Sequence, residues 1–588
     1  MNPGALKQKK AETNFPQKLV FLINILPLLI LLLFSSGTSR AELPAPGTVQ
    51  PVESRNGMIS SQHALATRAG LEVLREGGNA VDAAVTVGFA LAVTLPSAGN
   101  LGGGGFMLVH LARSHETIAI DYREKAPQAA SRDMYLDKDG AVIPRKSTYS
   151  YQAVGVPGTV AGLALALKKY GTIPLSKALK PAIELADKGF IVDEYLHDSL
   201  LGAKKEMINY PASMAVFFKE GGEPYETGER IVQKDLAWSL KEIARDGPQA
   251  FYSGSIAKKI TADMEANGGL ITPKDLAAYH PVIRKPVHGV YRGYDIYSMP
   301  PPSSGGVHLI QMLNLLEQFP VDSLGCNTPE TIHLMVECMK LAYADRSKFL
   351  GDSDFVKVPA AGLTSRRYAD DLLKKIDLRK VTPSAEILPG NPGGYESDQT
   401  THYSVMDRYG NAVANTYTLN FSYGACITAA GTGILLNDEM DDFSAKVGAS
   451  NAYGLLGDAA NAIEPGKRML SCMTPTIVLK DGKAYLVTGS PGGSRIITTT
   501  LQVIMNVLDH RMNIADATNA VRIHHQWMPD VLYVEKGLNE VTLRRLMESG
   551  YKVEVRGYMG CTQTIMHRGK IFFGAADPRG SSSLAEGY

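Results

Sequence analysis

Asp398-Gln399-Thr400-Thr401-His402-Tyr403-Ser404-Val405 places two threonines at the head of an alternating segment, directly behind a loop rich in Gly, Pro and Ser. Residues 387–399 hold little apolar content and read as an exposed linker, the kind of segment where chains are cut. A cut between Gln399 and Thr400 makes Thr400 a new N-terminus. One residue then carries both a nucleophile, its Oγ, and a base, its free α-amino group. That amine has an ordinary pKa of about 8, so it is available as a base near neutral pH, unlike a lysine. The competing reading is a plain strand start, which threonine favours.

Beyond the linker the chain reads as β-structure. His402 to Asp407 alternates, Arg408 to Asn411 turns, and Ala412 to Leu419 continues as a second strand. Thr474 to Leu479 and Ala484 to Thr488 flank Asp481-Gly482, a strong hairpin signal. Another hairpin turns at Arg568-Gly569. Helical stretches occupy Arg495 to Val507 and Thr542 to Gly550. Upstream, Ser61 to Leu74 has helical spacing and stops at Gly77-Gly78. Ala80 to Val93 carries one charge, Asp82, and reads as a buried helix. Met107 to Leu111 and Thr117 to Tyr122 read as paired strands, and residues 162–378 as mostly helical. Strands with helices to either side imply a layered α/β (α+β) sandwich.

Composition narrows the function. The chain has 588 residues, 45% hydrophobic and 20% charged, with a formal charge of +1. That balance argues against general nucleic-acid binding. Lys7, Lys9, Lys10 and Lys18 precede the apolar run Leu19 to Phe34, and Ser39-Arg40-Ala41 offers small residues for a signal peptidase. Residues 1–41 therefore read as a secretory signal peptide, interrupted by Asn24 and Pro27 and short for a membrane span. Five widely spaced cysteines make no dense disulfide framework and no zinc-ligand spacing. His524-His525 is an adjacent pair whose side chains point apart, which suits structure better than metal.

Three further segments carry chemistry. Thr488-Gly489-Ser490-Pro491-Gly492-Gly493-Ser494-Arg495 ends a strand and opens a helix, where unpaired N–H groups can hold an oxyanion. The plainer reading is a tight turn. Gly102 to Gly105 lacks the Lys-Ser/Thr of a P-loop and precedes a strand, so close backbone packing explains it better than nucleotide binding. Asn437-Asp438-Glu439-Met440-Asp441-Asp442-Phe443 could bind an ammonium group, and Arg123, in Asp121-Tyr122-Arg123-Glu124, a carboxylate. Their plainer readings are a solvated turn and a local salt bridge.

Taken together and in order, these segments resemble the γ-glutamyltransferase (γ-glutamyl transpeptidase) family. Gly410-Asn411-Ala412-Val413, Thr416-Tyr417-Thr418-Leu419-Asn420, Gly433-Ile434-Leu435-Leu436-Asn437 and Gly77-Gly78-Asn79-Ala80-Val81-Asp82 add to the likeness. The resemblance implies an N-terminal-nucleophile hydrolase with a four-layer αββα sandwich. It implies self-cleavage into a large subunit, 42–399, and a small subunit, 400–588, which stay together as a heterodimer. It makes Thr400 the nucleophile, Thr418 its hydrogen-bonding partner, and Gly492 and Gly493 the oxyanion donors. Arg123 and Ser471 would hold the α-carboxylate of a γ-glutamyl group, and Asn420, Glu439 and Asp442 its α-amino group. Lys446 to Tyr453 resembles a lid, with Tyr453 at its tip. Two departures stand out: Cys472 where many bacterial members carry a second serine, and Glu439 where some carry glutamine. The implied substrates are glutathione and related γ-glutamyl compounds, with water, amino acids or dipeptides as acceptors. No cofactor or metal is implied, and export to the periplasm or beyond is, without lasting membrane association. The rivals are a sister acylase for glutaryl-cephalosporins or poly-γ-glutamate, and an uncut, non-catalytic binding protein.

Overall fold

The computed structural model describes residues 47–390, 401–446, 455 and 458–588. The expected signal peptide, the Gln399-Thr400 junction and Tyr453 lie outside them. Two seven-stranded sheets form the centre. In chain order the strands are β1 (Val52–Ser54), β2 (Gly57–Ser61), β3 (Gly104–Leu111), β4 (Glu116–Tyr122), β5 (Val282–Arg284), β6 (Val287–Tyr291), β7 (Tyr294–Ser298), β8 (Thr401–Asp407), β9 (Ala412–Thr418), β10 (Thr476–Lys480), β11 (Lys483–Thr488), β12 (Gln563–Arg568), β13 (Ile571–Ala576) and β14 (Leu584–Gly587). One sheet runs β14-β2-β8-β9-β3-β4-β5, the other β1-β13-β12-β11-β10-β7-β6.

Side-chain alternation assigns the layers. On the first sheet Met107, Val109, Ile118, Ile120, Val405 and Val413 join a core built with helices α1 (Ala64–Arg75) and α2 (Ala80–Thr94). Their neighbours Phe106, Leu108, Ala119, Met406, Ala412 and Ala414 point the other way. There they meet Ile477, Leu486 and Ile565 of the second sheet. Helices α3 (Gly305–Leu316), α4 (Pro329–Phe349) and α5 (Arg495–Leu508) complete that second core through Leu309, Met312, Met335, Met339, Ile497 and Leu501. The order is helix, sheet, sheet, helix, as the αββα expectation requires. It also explains why β8 and β9 are buried along their whole length rather than on alternate residues. A strand covered on both faces has no solvent side.

Helix α2 is buried at every position. Asn79 caps it, accepting from the amides of Val81 and Asp82, while the Asp82 carboxylate accepts from the Asn79 N–H. The Asp407 carboxylate, at the end of β8, accepts from Ala80 N at 2.8 Å. An anion at a helix N-terminus is favourable, and here it ties the helix to the strand that leads back to Thr401.

The glycine run at 102–105 is a packing device, as its sequence suggested. A Cβ on Gly103 would lie 2.0 Å from the Thr418 carbonyl oxygen, and one on Gly105 2.4 Å from Tyr417 Cβ. Gly103→Ala is expected to push Thr418 out of place and to cost about 1–3 kcal/mol of stability. Thermal melts and activity of the soluble variant, compared with the unchanged chain, check this.

The region read as mostly helical holds β5, β6 and β7 as well as its helices. Two of them extend the second sheet and one closes the edge of the first. All five cysteines are free thiols. His524 bonds Thr498 and Gln526, and His525 bonds Asp530. Burial pushes both imidazoles below their usual range, so they are structural and neutral. Among the described residues no helix is long and apolar enough to cross a membrane, and no cluster has the makings of a metal site.

Candidate active site

Strand β8 opens at Thr401, whose register partner on β9 is Tyr417. Thr418 is the next residue along β9 and is buried. Its Oγ accepts the Asn420 N–H at 2.8 Å, and its carbonyl accepts from Asn100 Nδ2 at 2.7 Å. His402, directly after Thr401, is no base for the site. It is buried between Thr416 Oγ1 at 2.8 Å and Ser404 Oγ at 3.1 Å, and burial lowers its pKa to about 3.

Arg123 lies just past the end of β4, and one turn of 3₁₀ helix, Glu439–Asp442, faces it. Arg123 Nη1 donates to Glu439 Oε1 at 2.5 Å, and Nη2 donates to Asp442 Oδ2. Nε and Nη2 also donate to the carbonyls of Met469, at 3.3 Å, and Leu470, at 3.2 Å. The planar guanidinium therefore spans two carboxylates and two carbonyls, which a lysine cannot do. All three charged side chains are buried. Burial pushes the Glu439 and Asp442 carboxyls up, with Arg123 pulling against it. Their charges in turn hold the guanidinium more firmly protonated, against desolvation.

Asn437 builds the turn. Its side chain accepts from the amides of Gly155 and Glu439 and donates to the carbonyls of Gly102 and Gly155. Asn461 ties the far end, donating to the Asp442 carbonyl at 2.6 Å and accepting from Leu470 N at 3.1 Å. Asn420 adopts a left-handed φ of 77° and donates to the Asp438 carbonyl at 3.1 Å. Three acceptor atoms of this group, Asn420 Oδ1, Glu439 Oε2 and Asp442 Oδ1, are buried with no hydrogen-bond donor among the described residues. A buried acceptor left without a donor costs about 1–3 kcal/mol, so these atoms suit a ligand that brings N–H groups.

Ser471 lies at the end of the Met469–Leu470 carbonyl pair that orients Arg123. Its N–H donates to Pro302 O at 2.9 Å, and its Oγ accepts from Met473 N at 3.2 Å. The buried Cys472 sulfur receives Arg346 Nη2 at 2.9 Å, so that side chain is held against α4. Gly492 and Gly493 form the bend between β11 and α5, with φ values of 125° and 66° that only glycine adopts readily. Neither amide donates to a backbone carbonyl among the described residues. Both lie at the positive end of α5, which suits a developing negative oxygen.

The family profile described as Gamma-glutamyltranspeptidase matches residues 66–587. The chain belongs to the gamma-glutamyltranspeptidase family. It is 55% identical over 541 residues to the glutathione hydrolase proenzyme of Escherichia coli (strain K12), covering 92% of this chain and 93% of that one. It is 47% identical over 555 residues to the glutathione hydrolase proenzyme of Pseudomonas sp. (strain A14), covering 92% and 95%. Among solved structures, the cephalosporin acylase of Bacillus halodurans superposes with a TM-score of 0.81 at 26% identity, covering 93% of this chain and 98% of that one.

In this chain the fold gathers Arg123, Asn420, Glu439, Asp442 and the Ser471 segment from stretches far apart in sequence. It places Thr418 beside Asn420 and sets the two glycines at a helix start. Thr400 and Tyr453 lie outside the described residues. Sequence reasoning passed over Asn437 and Asn461, which shape the turn. It also passed over Glu124, which sat beside Arg123 in the quoted motif without a role.

Proposed function

We propose that the chain is a γ-glutamyl transferase and hydrolase that activates itself by cleaving Gln399-Thr400. The observation that carries this is the arrangement around Arg123. One buried guanidinium suits an α-carboxylate. Donor-less buried acceptors around it, Asn420 Oδ1, Glu439 Oε2 and Asp442 Oδ1 among them, suit the N–H donors of an ammonium group. Before substrate binds, Arg123 pairs with Glu439 and Asp442 themselves. An incoming glutamyl head is a zwitterion, so it exchanges that pair for two new ones without stranding a charge. A glutaryl group lacks the ammonium and leaves the three acceptors unsatisfied. The shared fold with a cephalosporin acylase does not separate the two activities, but this charge pattern favours glutamyl.

In processing, Thr400 Oγ attacks the Gln399 carbonyl, the peptide shifts to an ester, and water cleaves it. In turnover, Thr400 Oγ attacks the γ-amide and its α-amino group takes the proton. The Gly492 and Gly493 amides receive the oxyanion. The amine leaves with that proton, and water or an amino acid or dipeptide then takes the acyl group from the ester. The pocket grips the non-reacting end of the substrate, so its contribution is orientation. Glutathione and related γ-glutamyl compounds are the donors in this reading, and the signal-like residues 1–41 support a periplasmic or secreted location.

The test is a denaturing gel with N-terminal sequencing, followed by glutamate release from a γ-glutamyl anilide. Two fragments, the smaller starting at Thr400, are expected. A processed protein that releases glutarate from the glutaryl anilide faster than glutamate would turn the reading to the acylase. Asp442→Ala is expected to raise KM for γ-glutamyl donors on the order of 100-fold, the cost of stranding an ammonium beside fewer acceptors. Processing should continue. An unchanged KM removes Asp442 from the site.

A further inference from the structure

The head of β8 is held unevenly on its two sides. On one side Thr401 pairs with Tyr417 of β9. On the other, the register with β2 stops two residues short, at Tyr403 and Ser61. A side chain makes up the difference. Thr401 Oγ1 donates to Oε1 of Gln62, the residue directly after β2. The same Gln62 side chain bonds the Cys561 sulfur, in the loop before β12. That loop also packs against the bend at Gly492-Gly493. The Cys561 N–H donates to Ser490 Oγ at 3.0 Å, and a Cβ on Gly492 would lie 3.1 Å from Gly560 Cα. Cys561 is itself fixed, with Gln563 Nε2 and Ser583 Oγ each 3.6 Å from its sulfur. One half-buried glutamine thus touches both the strand that follows Thr400 and the loop that backs Gly492.

We infer that Gln62 is a positioning residue for the reaction: it fixes Thr401, and through it the Thr400 Oγ, against the Gly492 and Gly493 amides. The inference rests on the γ-glutamyl reading above, with Thr400 as nucleophile. Chain ends fray unless they are tied down. Once Gln399-Thr400 is cut, Thr400 has a covalent neighbour on one side only, and that neighbour is Thr401. The ladder to Tyr417 fixes Thr401 along one edge, and the bond to Gln62 stops it swinging about that edge. A misplacement of about 1 Å costs on the order of 100-fold in rate. The residue type suits the task. An amide accepts through its oxygen, here from Thr401, and donates through its nitrogen, here to Cys561, which a carboxylate or an ammonium cannot do together. In this reading Gln62 belongs to the large subunit and Thr401, Cys561 and Gly492 to the small one, so the aim of the nucleophile depends on both.

The test separates aim from fold. In Gln62→Ala, kcat per cut molecule for a γ-glutamyl anilide is expected to fall about 10- to 100-fold. KM should stay within about twofold, because the pocket around Arg123 is untouched. Gln62→Glu keeps an acceptor for Thr401 and is expected to recover most of that loss. Thr401→Val removes the donor and leaves Gln62 on Cys561. Combined with Gln62→Ala, it should cost no more kcat than either change alone, since both break the same bond. A merely structural glutamine would lower the melting temperature and leave kcat alone. An unchanged kcat in Gln62→Ala, or losses that add in the double variant, overturns the inference. Should Gln62→Ala fail to fold or to cut, Thr401→Val alone decides. The same loss of kcat at constant KM supports the inference, and an unchanged kcat overturns it. An unchanged enzyme that is cut yet ignores γ-glutamyl donors altogether sinks the functional reading instead.

Discussion

Thr400→Ala is expected to yield one uncut chain with no measurable γ-glutamyl hydrolysis. The methyl group removes the only atom proposed to attack either the Gln399 carbonyl or the substrate. Both losses follow from that single deletion, because the same Oγ serves both reactions. Loss of a covalent nucleophile costs on the order of 10⁴ or more in rate. Among the described residues, the hydroxyl and imidazole groups next along the chain are already engaged. The hydroxyl of Thr401 sits next to Gln62, and the His402 imidazole is enclosed by Thr416 and Ser404. Thr418 is held by Asn420 and belongs to a strand sealed on both sides. Thr400→Ser keeps a hydroxyl and, after cleavage, an α-amino group, so partial processing and partial activity are expected. A Thr400→Ala protein that is cut and active would sink the mechanism.

How much of this was legible depended on how local the determinants are. Helix α2 was plain because apolar residues dominate all of its faces and a capping box marks its start. The hairpin at Asp481-Gly482 was plain because both residues adopt a left-handed φ, 51° and 72°, which that dipeptide favours. The hairpin between β6 and β7 was missed because its turn is Arg292-Gly293, a weaker signal with the same left-handed geometry at 50° and 77°. Its strands are short and half-exposed, and they interrupt a run of helices.

The site divides along the same line. Single segments suggested an oxyanion bend and a charged turn, but nothing local joins Arg123 to Asp442 or Leu470. Those contacts exist because β4 ends where the Glu439–Asp442 turn begins to face it, and register over hundreds of residues sets that. The ordered resemblance to a family supplied what periodicity could not. Glu124 shows the remaining gap. A glutamate beside an arginine reads as a local salt bridge, and the complete burial of Glu124 against Gly104, which has no Cβ, shows only in the fold.

Arg123→Met is expected to damage binding and stability together, and pH separates the two effects. Methionine fills much of the same volume but donates no hydrogen bond. The substrate carboxylate then has no cation, and losing a buried charged pair costs about 2–5 kcal/mol. That places kcat/KM between roughly 30-fold and several thousand-fold below the unchanged enzyme. The fold suffers too, since Glu124, Glu439 and Asp442 would be buried without their cation. Removing one partner of a buried pair costs about 3–5 kcal/mol when the remaining charge persists. Here the charge need not persist. Burial already pushes all three carboxyls up, and the loss of Arg123 removes the main force holding them down. A carboxyl whose folded pKa lies above its unfolded value supports the fold at low pH and loses that contribution as pH rises through the folded value. The melting temperature of Arg123→Met should therefore approach that of the unchanged protein near pH 5 and fall well below it near pH 8. Its kcat/KM should stay poor at both. Arg123→Lys keeps a charge but has no fork to span Glu439, Asp442 and the Met469 and Leu470 carbonyls. It should restore most of the stability at pH 8 and little of the activity. Equal melting curves for Arg123→Met and the unchanged protein across this range would mean that the carboxylates have another cation, and that the pocket is not organised around Arg123.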